Sequence, residues 1–463
     1  MDDQNRNLIL ATALSFLVIL VWFLLFPPPP PEETPAPAEV AQQQAEPGVA
    51  PTPGAAGTGT GAGVVGAVEA LGRSPRIDLR TARLEGSISL VGGRIDDLRL
   101  LDYHETVDRD SPNVTLLQPA GAPDAYYALY GWSPAGGLSP DAVPGPNTPW
   151  RVESGGEALT ETTPVTLVWD NGAGLIFRRV MSIDANYMFT VTQSVENLGD
   201  AEVRLAPYGI VARHGVPGDL RRFYILHEGV IGVADGTLTE TDWSDIPDLP
   251  FDAAEQANVL SAPVARDGWI GFTDHYWMST LAARPGQPFT AVTKYTPATD
   301  TFQTDMRLPV MAVAPGATAE ISTWLFSGAK EWATIRDYQN DLGIDRFVDA
   351  IDWGWFFFLT KPIFMALHYL NQLIGNMGWA IIGLTFIIKA LLLPLAYKSY
   401  VSMSKMKALQ PEMEKIKETA GDDRMKMQQE VMALYKREKV NPAAGCLPIL
   451  LQIPIFFSLY KVI

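Results

Sequence analysis

Lys389 lies near the middle of WAIIGLTFIIKALLLPLAY (Trp379 to Tyr397), a run with no other charge. At the centre of a spanning helix a lysine costs roughly 2.5–3.5 kcal/mol on insertion scales, so such a residue is a functional candidate by default. The next charge downstream, Lys398, is nine residues on, roughly 13 Å along a helix. A lysine arm reaches only about half that distance, so snorkelling does not fully relieve Lys389. Water, a partner or another protein surface must meet the ammonium. Thr385 is four residues earlier and shares its helix face. Gly378, Ala380 and Gly383 let neighbouring helices approach closely. The chemistry this implies is electrostatic: a hydrated intramembrane cavity centred on Lys389 attracts acidic or polar stretches and shortens the apolar barrier they cross. The alternative is a lysine paired with a carboxylate of another span to hold a bundle. No Asp or Glu lies in any apolar run of this chain, which weakens it.

A second polar group at depth is Gln452 in CLPILLQIPIFFSLYKVI (Cys446 to Ile463). It reads equally as a hydrogen bond to a neighbouring helix or as cavity lining. Pro448 and Pro454 distort that helix and free backbone groups. Between the two runs, Met406, Leu409, Met413, Ile416 and Ala420 repeat at 3-4-3-4, a heptad seam. AGDD (Ala420 to Asp423) reads as a turn with Asp422 as a helix cap. Met425, Met427, Val431, Met432, Leu434 and Tyr435 form a second, wider stripe. The two stripes describe a helical hairpin. Its methionines, Met406, Met413, Met425 and Met432 among them, either fill the seam or form an adaptable docking surface.

Catalytic and metal-binding constellations are missing. His104, His214, His227 and His275 are scattered. HEGVI has Ile231 where a zinc-protease helix needs its second histidine. Asp274-His275 is only half of a triad. There is no G-x-S-x-G elbow and no P-loop. GAGVVG (Gly61 to Gly66) matches a dinucleotide fingerprint formally, but a proline-rich stretch precedes it where a strand is required. The single cysteine, Cys446, excludes an internal disulfide and a cysteine-rich metal site. No cofactor and no metal are expected.

The elements that must position these residues are legible. The chain has 463 residues, 47% hydrophobic, with net charge −17. From Ile351 to Ile463 there are 13 Lys/Arg against 8 Asp/Glu, so the acidity lies upstream. That balance speaks against nucleic-acid binding, which needs a basic face. Leu8 to Phe26 is 19 uncharged residues, long enough to cross a bilayer core of about 30 Å. A cleaved signal peptide would want a more basic start and a shorter apolar run, so residues 1–26 read as an uncleaved anchor. Residues 27–66 are a Pro/Ala/Gly-rich disordered linker. Residues 67–347 carry short β-branched and aromatic runs punctuated by Gly, Pro, Asn and Asp, the pattern of a large antiparallel β sandwich closed by a helix. Residues 350–375 form an interfacial amphipathic helix with Pro362 suited to its first position. His368 falls on it as an interface residue. Residues 376–397 are the second span, 398–444 the cytoplasmic hairpin, and 445–463 the third span. The 10 Lys/Arg between Lys398 and Gly445 place that loop inside, and Arg6 weakly places the N-terminus there too. The fold class expected is a multi-domain membrane protein, with an external all-β domain and an α-helical transmembrane module bearing a cytoplasmic hairpin.

The runs MSKMKALQPEM, ALYKREKVNP and GCLPILLQIPIF closely resemble the YidC family of membrane protein insertases, relatives of the mitochondrial Oxa and chloroplast Alb proteins. The anchor and external domain are similar to the Gram-negative form. The resemblance implies a β supersandwich outside the membrane and a groove open to cytoplasm and lipid. The groove's single positive residue aligns with Lys389 and its threonine with Thr385. It implies work on nascent membrane proteins in the lipid bilayer, alone or beside the Sec translocon, without ATP. The hairpin would meet the ribosome or targeting machinery. Two departures stand out. Many bacterial relatives carry arginine where Lys389 stands, and lysine keeps the charge but loses the guanidinium fork. The family form also implies five spans, whereas this sequence stops at Ile463 in the third, so two groove walls are expected to be missing. The expected function is an insertase and chaperone, not an enzyme. The rival is a membrane-tethered periplasmic module that binds a carbohydrate or peptide; a cell-envelope hydrolase lacks any site.

Overall fold

The computed structural model describes residues 66–108, 110–218, 220, 226–420, 424–438 and 447–463. The expected anchor (1–26), residues 27–65 of the linker, Asp422 and Cys446 lie outside the described residues.

Two antiparallel sheets face each other across one apolar core. The first has twelve strands, ten of which run in space from Phe251–Asp252 through Ala257–Val264, Phe289–Thr296, Thr301–Arg307, Val203–His214, Tyr126–Ala135, Ile95–His104, Leu84–Ser89 and Arg76–Arg80 to Ala158–Leu159, with Met311–Val313 pairing Val203–His214 and Asn113–Leu117 pairing Ile95–His104 off this path. Its last pair, Asp78 with Ala158, is parallel. The second, of nine strands, runs from Thr237–Asp242 through Gly229–Ala234, Gly268–Thr273, Trp277–Ala282, Thr318–Ala329, Met188–Asn197, Leu175–Ile183 and Val165–Asp170 to Arg151–Ser154.

Strand alternation shows how the sequence encodes this. In Leu175–Ile183 every second residue is buried: Leu175, Phe177, Arg179, Met181 and Ile183. Period-2 burial is what a sheet with one core face requires. Arg179 is the exception in chemistry. Its guanidinium is 1% exposed, donates to the Gly92, Gly93 and Tyr130 carbonyls, and lies 4.5 Å over the Trp150 ring. Burial pushes its pKa down to about 10, with Tyr208 and Tyr130 opposing. It thereby joins the two sheets. Gly93 sits at φ +63°, and a Cβ there would meet Arg179 Nη1 at 2.3 Å, so glycine is required.

Seven α-helices are described: α1 (Ala67–Leu71), α2 (Trp332–Leu342), α3 (Phe357–Ile374), α4 (Met377–Ala408), α5 (Gln410–Ala420), α6 (Arg424–Arg437) and α7 (Leu447–Val462). α2 is the helix that closes the sandwich. Glu331, its N-cap residue, is held by Arg83, by the Tyr103 hydroxyl at 2.6 Å and by Thr334 at 2.9 Å. Gly343, left-handed at φ +71°, ends it.

α3 begins at Phe357, five residues before Pro362. The expectation that Pro362 opens the helix is corrected: Thr360 already hydrogen-bonds back to Phe356 through its backbone N–H at 2.8 Å, so the first turn is complete upstream. Phe364 and His368 both face Trp332 of α2, at 5.6 and 4.9 Å between ring centroids. Leu367 packs instead with Ala380 and Leu384 of α4 and Leu459 and Val462 of α7, a small core separate from the sandwich.

Candidate functional site

α4 is 32 residues long, and among the described residues it is the one helix long and apolar enough to cross a membrane. Only 11% of its most apolar window is buried. A core helix of a soluble protein would be mostly enclosed, so this surface needs lipid or other helices around it. The Asn376 side chain caps it by accepting from Trp379 N–H at 3.2 Å. The helix passes without a break from the apolar run into the basic segment and stops at Leu409.

Lys389 is exposed on α4 and makes no hydrogen bond or ion pair among the described residues. Thr385 is exposed one turn earlier and donates its hydroxyl to the Ile381 carbonyl at 2.9 Å. Gln452, on α7, is exposed and likewise without a hydrogen bond among the described residues. The first half of α4 is brought against α7 through Ala380, Leu384 and Ile388 beside Leu459 and Val462. No hydrogen bond joins Gln452 to Thr385 or Lys389. What the fold provides, then, is a long apolar helix with an exposed surface, carrying within its apolar run one cation, Lys389, that has no ion pair among the described residues, and a neighbouring threonine.

The hairpin forms from α5 and α6. The Tyr435 hydroxyl reaches the Met413 sulfur at 3.4 Å, and Arg437 pairs with Glu412 at 2.7 Å. Met406 and Met413 are half-buried, whereas Met425 and Met432 are 74% and 57% exposed. The heptad seam does not lie on one helix. Met406 belongs to α4 and Met413 to α5, because the chain breaks at Leu409, two residues before Pro411. Proline cannot donate to the carbonyl four residues back and clashes with it, so a helix starts there rather than continuing.

The histidines do not converge. His104 Nδ1 lies 2.8 Å from the Ser111 carbonyl, His214 beside Tyr127, and His275 against Tyr276. HEGVI opens a strand, not a helix. Asp274 pairs with Arg213 at 3.1 Å. Among the described residues no group of three His, Cys, Asp or Glu could hold a metal ion.

One feature of the fold has no signal in the sequence. Asp352, in the segment entering α3, pairs with Lys461 near the end of α7 at 2.7 Å and accepts from the His227 backbone N–H at 2.9 Å. Burial raises the Asp352 carboxyl, but the hydrogen bond and charge of Lys461 prevail and hold it below its ordinary value. Lys330, which leads into α2, is half-buried with its ammonium on Thr273 at 2.9 Å. Burial pushes its pKa down to about 8, against the pull of Asp274, Asp352 and Glu228. Beside this joint lies a cleft of about 1040 Å³, lined from the sandwich by Glu240, Asp242 and Trp243 and from the helices by Trp355, Phe356 and Ser458. Residues about 110–230 apart in sequence meet here, which no periodicity can reveal.

Comparisons with known proteins agree with this architecture. The family model described as the YidC periplasmic domain matches residues 76–366, and that described as the 60Kd inner membrane protein matches residues 369–463. Fold and matches together define an inner-membrane protein with a large β-sandwich domain on an α-helical membrane module. Membrane protein insertase YidC of Dinoroseobacter shibae and that of Roseobacter denitrificans are each 61% identical over 100% of this chain and 77% of their own length. The chain belongs to the YidC family. Among solved structures, an active YidC insertase is 19% identical with TM-score 0.26, covering 84% of this chain and 72% of its own. A galactose mutarotase related enzyme from Lactobacillus acidophilus is 12% identical with TM-score 0.37, covering 55% and 97%.

Proposed function

We infer that this protein inserts inner-membrane proteins and helps them fold, as the names of its relatives indicate. The observation that carries the mechanism is Lys389: a cation on a lipid-facing helix with no counter-ion among the described residues. Water must hydrate such an ammonium, because an unsolvated charge in hydrocarbon is too costly to persist. A hydrated cation inside the bilayer lowers the barrier for a polar flank of a nascent span. Partition of the apolar segment into lipid then drives the step, so neither nucleotide nor cofactor is required. Thr385 supplies an additional polar group one turn away, and Gln452 lines the same cavity from α7.

In this reading the N-terminus and the α5–α6 hairpin are cytoplasmic, the sandwich is periplasmic, and the chain crosses the membrane several times. Met425 and Met432 offer the ribosome or targeting machinery an adaptable apolar surface, while Met413 supports it from within the hairpin and Met406 from the end of α4. Some substrates arrive through the Sec translocon.

Substitution in the full-length protein tests the charge. Lys389→Ala is expected to impair insertion of substrates with acidic or polar flanks, and Lys389→Arg to retain it. Equal insertion by all three forms removes the role. Photocrosslinking from Thr385 to a ribosome-stalled nascent chain tests contact directly.

A further inference from the structure

We propose that Met425 and Met432, on the outward side of α6, are reversible oxidation sites, and that their conversion to sulfoxides releases the hairpin from the ribosome. The proposal rests on the docking surface inferred above and adds how that surface is switched off.

The chain holds 14 methionines, and six of them, Met403, Met406, Met413, Met425, Met427 and Met432, crowd into and just before the hairpin. α6 sorts its three by side. Met427 and Leu434 stand seven residues apart, as do Met425 and Met432. At 3.6 residues per turn each pair shares one side of the helix. Met427 is half-buried and Leu434 is buried, whereas Met425 is 74% and Met432 57% exposed. The inward pair fills the seam. The outward pair is not needed to close the hairpin.

A thioether is nucleophilic as it stands, so access to its sulfur lone pairs decides which methionine reacts. Hydrogen peroxide is the oxidant considered. A sulfur lone pair attacks one peroxide oxygen, the S–O bond forms and the O–O bond breaks. The departing hydroxide takes the proton of the transferred hydroxyl and leaves as water. Sulfur gives up two electrons and the peroxide accepts them. Reductases specific for each sulfoxide epimer reverse the change. Met413 is held back, because it is half-buried and its sulfur accepts the Tyr435 hydroxyl at 3.4 Å. Met181, Met188, Met278 and Met306 in the sandwich are shielded by burial. Met403, at the end of α4, is less exposed than either outward residue of α6.

A sulfoxide is polar and chiral where the thioether was flexible and apolar. A partner that buries these side chains must then desolvate an S–O dipole at each. The seam is untouched, so oxidation ends docking while the hairpin stays folded.

The test doses the full-length protein in nanodiscs with hydrogen peroxide and maps oxygen uptake by peptide mass spectrometry. Met425 and Met432 are expected to oxidise before Met413, and the four buried sandwich methionines not at all. The oxidised protein should bind ribosomes carrying a nascent span about tenfold more weakly, the order of burying one polar group without a partner. Methionine sulfoxide reductases with a thiol reductant should restore binding, and hydrogen exchange over residues 410–437 should not change. Met425→Leu with Met432→Leu keeps the surface apolar and should bind normally before and after peroxide. Equal oxidation of Met413, undiminished binding by the oxidised protein, or the same loss in the leucine variant would each overturn the proposal. Met425→Ser with Met432→Ser separates the two readings. Normal binding by that variant defeats the docking surface and the switch together. Weak binding by it, with none lost on oxidation, leaves the surface standing and defeats the switch alone.

Discussion

At the scale of single residues, two cations stand in contrasting surroundings. Lys389 has no counter-ion among the described residues, and its position is legible because a charge in an apolar run stands out in any window. Arg179 sits in LIFRRVMSI, whose alternation announces a strand with residue 179 on the core face. What the alternation could not announce is the cage of three carbonyls and the Trp150 ring, drawn from segments roughly 30–90 residues away. Arg179→Ala should lower stability by about 2–4 kcal/mol, because buried acceptors lose their donors together. Gly93→Ala should cost about 1–3 kcal/mol through its positive φ and the approach to Nη1. Since both act on one contact, the double variant should fall short of their sum. Denaturant midpoints of the sandwich transition read all three, and simple additivity would mean that Gly93 and Arg179 are independent.

At the scale of elements, the sequence pattern located helices and strands better than it located their ends. The 3-4-3-4 spacing from Met406 to Ala420 is real, yet Pro411 cuts it, so the seam spans two helices. Likewise α3 starts upstream of Pro362 because the aromatic run from Phe356 already supplies its first turn. Exposure then separates the methionines. Serine at Met425 or Met432 should leave hairpin stability within about 0.5 kcal/mol, as for most surface changes, and weaken association with ribosomes carrying a nascent span. Met413→Ser should instead loosen the hairpin, since Met413 is half-buried against Tyr435. Sedimentation with stalled ribosomes and hydrogen exchange of residues 410–437 distinguish the two effects. The closing helix α2 predicts a pH dependence. Burial raises the Glu331 carboxyl, but hydrogen bonds from Arg83, Tyr103 and Thr334 outweigh it and hold its pKa below the ordinary 4.5. Its contribution is therefore complete above about pH 4.5 and is lost as pH falls through the lower folded value. Glu331→Gln should destabilise the domain at neutral pH and flatten its acid-unfolding profile below pH 4.5. An unchanged profile would show that Arg83 and Tyr103 do not read the charge.

At the scale of the whole molecule, the sandwich and the helices have separate cores, so their dependence on each other can be tested by removal. The sandwich core is built almost wholly from strand residues, and the helical core from Leu367, Ala380 and Leu384 with α7. The joint between them uses α2, whose Trp332 packs on Phe364 and His368, and the Asp352–Lys461 pair. The Asp352–Lys461 pair survives a deletion of residues 67–328, since both residues lie downstream, whereas α2 loses the sandwich core on which Ile335 and Tyr338 are buried. What is lost is the His227 N–H on Asp352, a charge that Lys461 still neutralises, together with the sandwich contacts of α2, made by Glu331, Ile335 and Tyr338. The deletion variant of the full-length protein should therefore fold its helices, present Lys389 to lipid and retain insertion. If the sandwich were instead the working part, as a tethered sugar- or peptide-binding module, the same deletion would abolish function while Lys389→Ala would be silent. Assaying both variants in one insertion assay gives opposite patterns for the two readings, because the claim that Lys389 acts on passing polypeptide requires only that α4 and its neighbours stand.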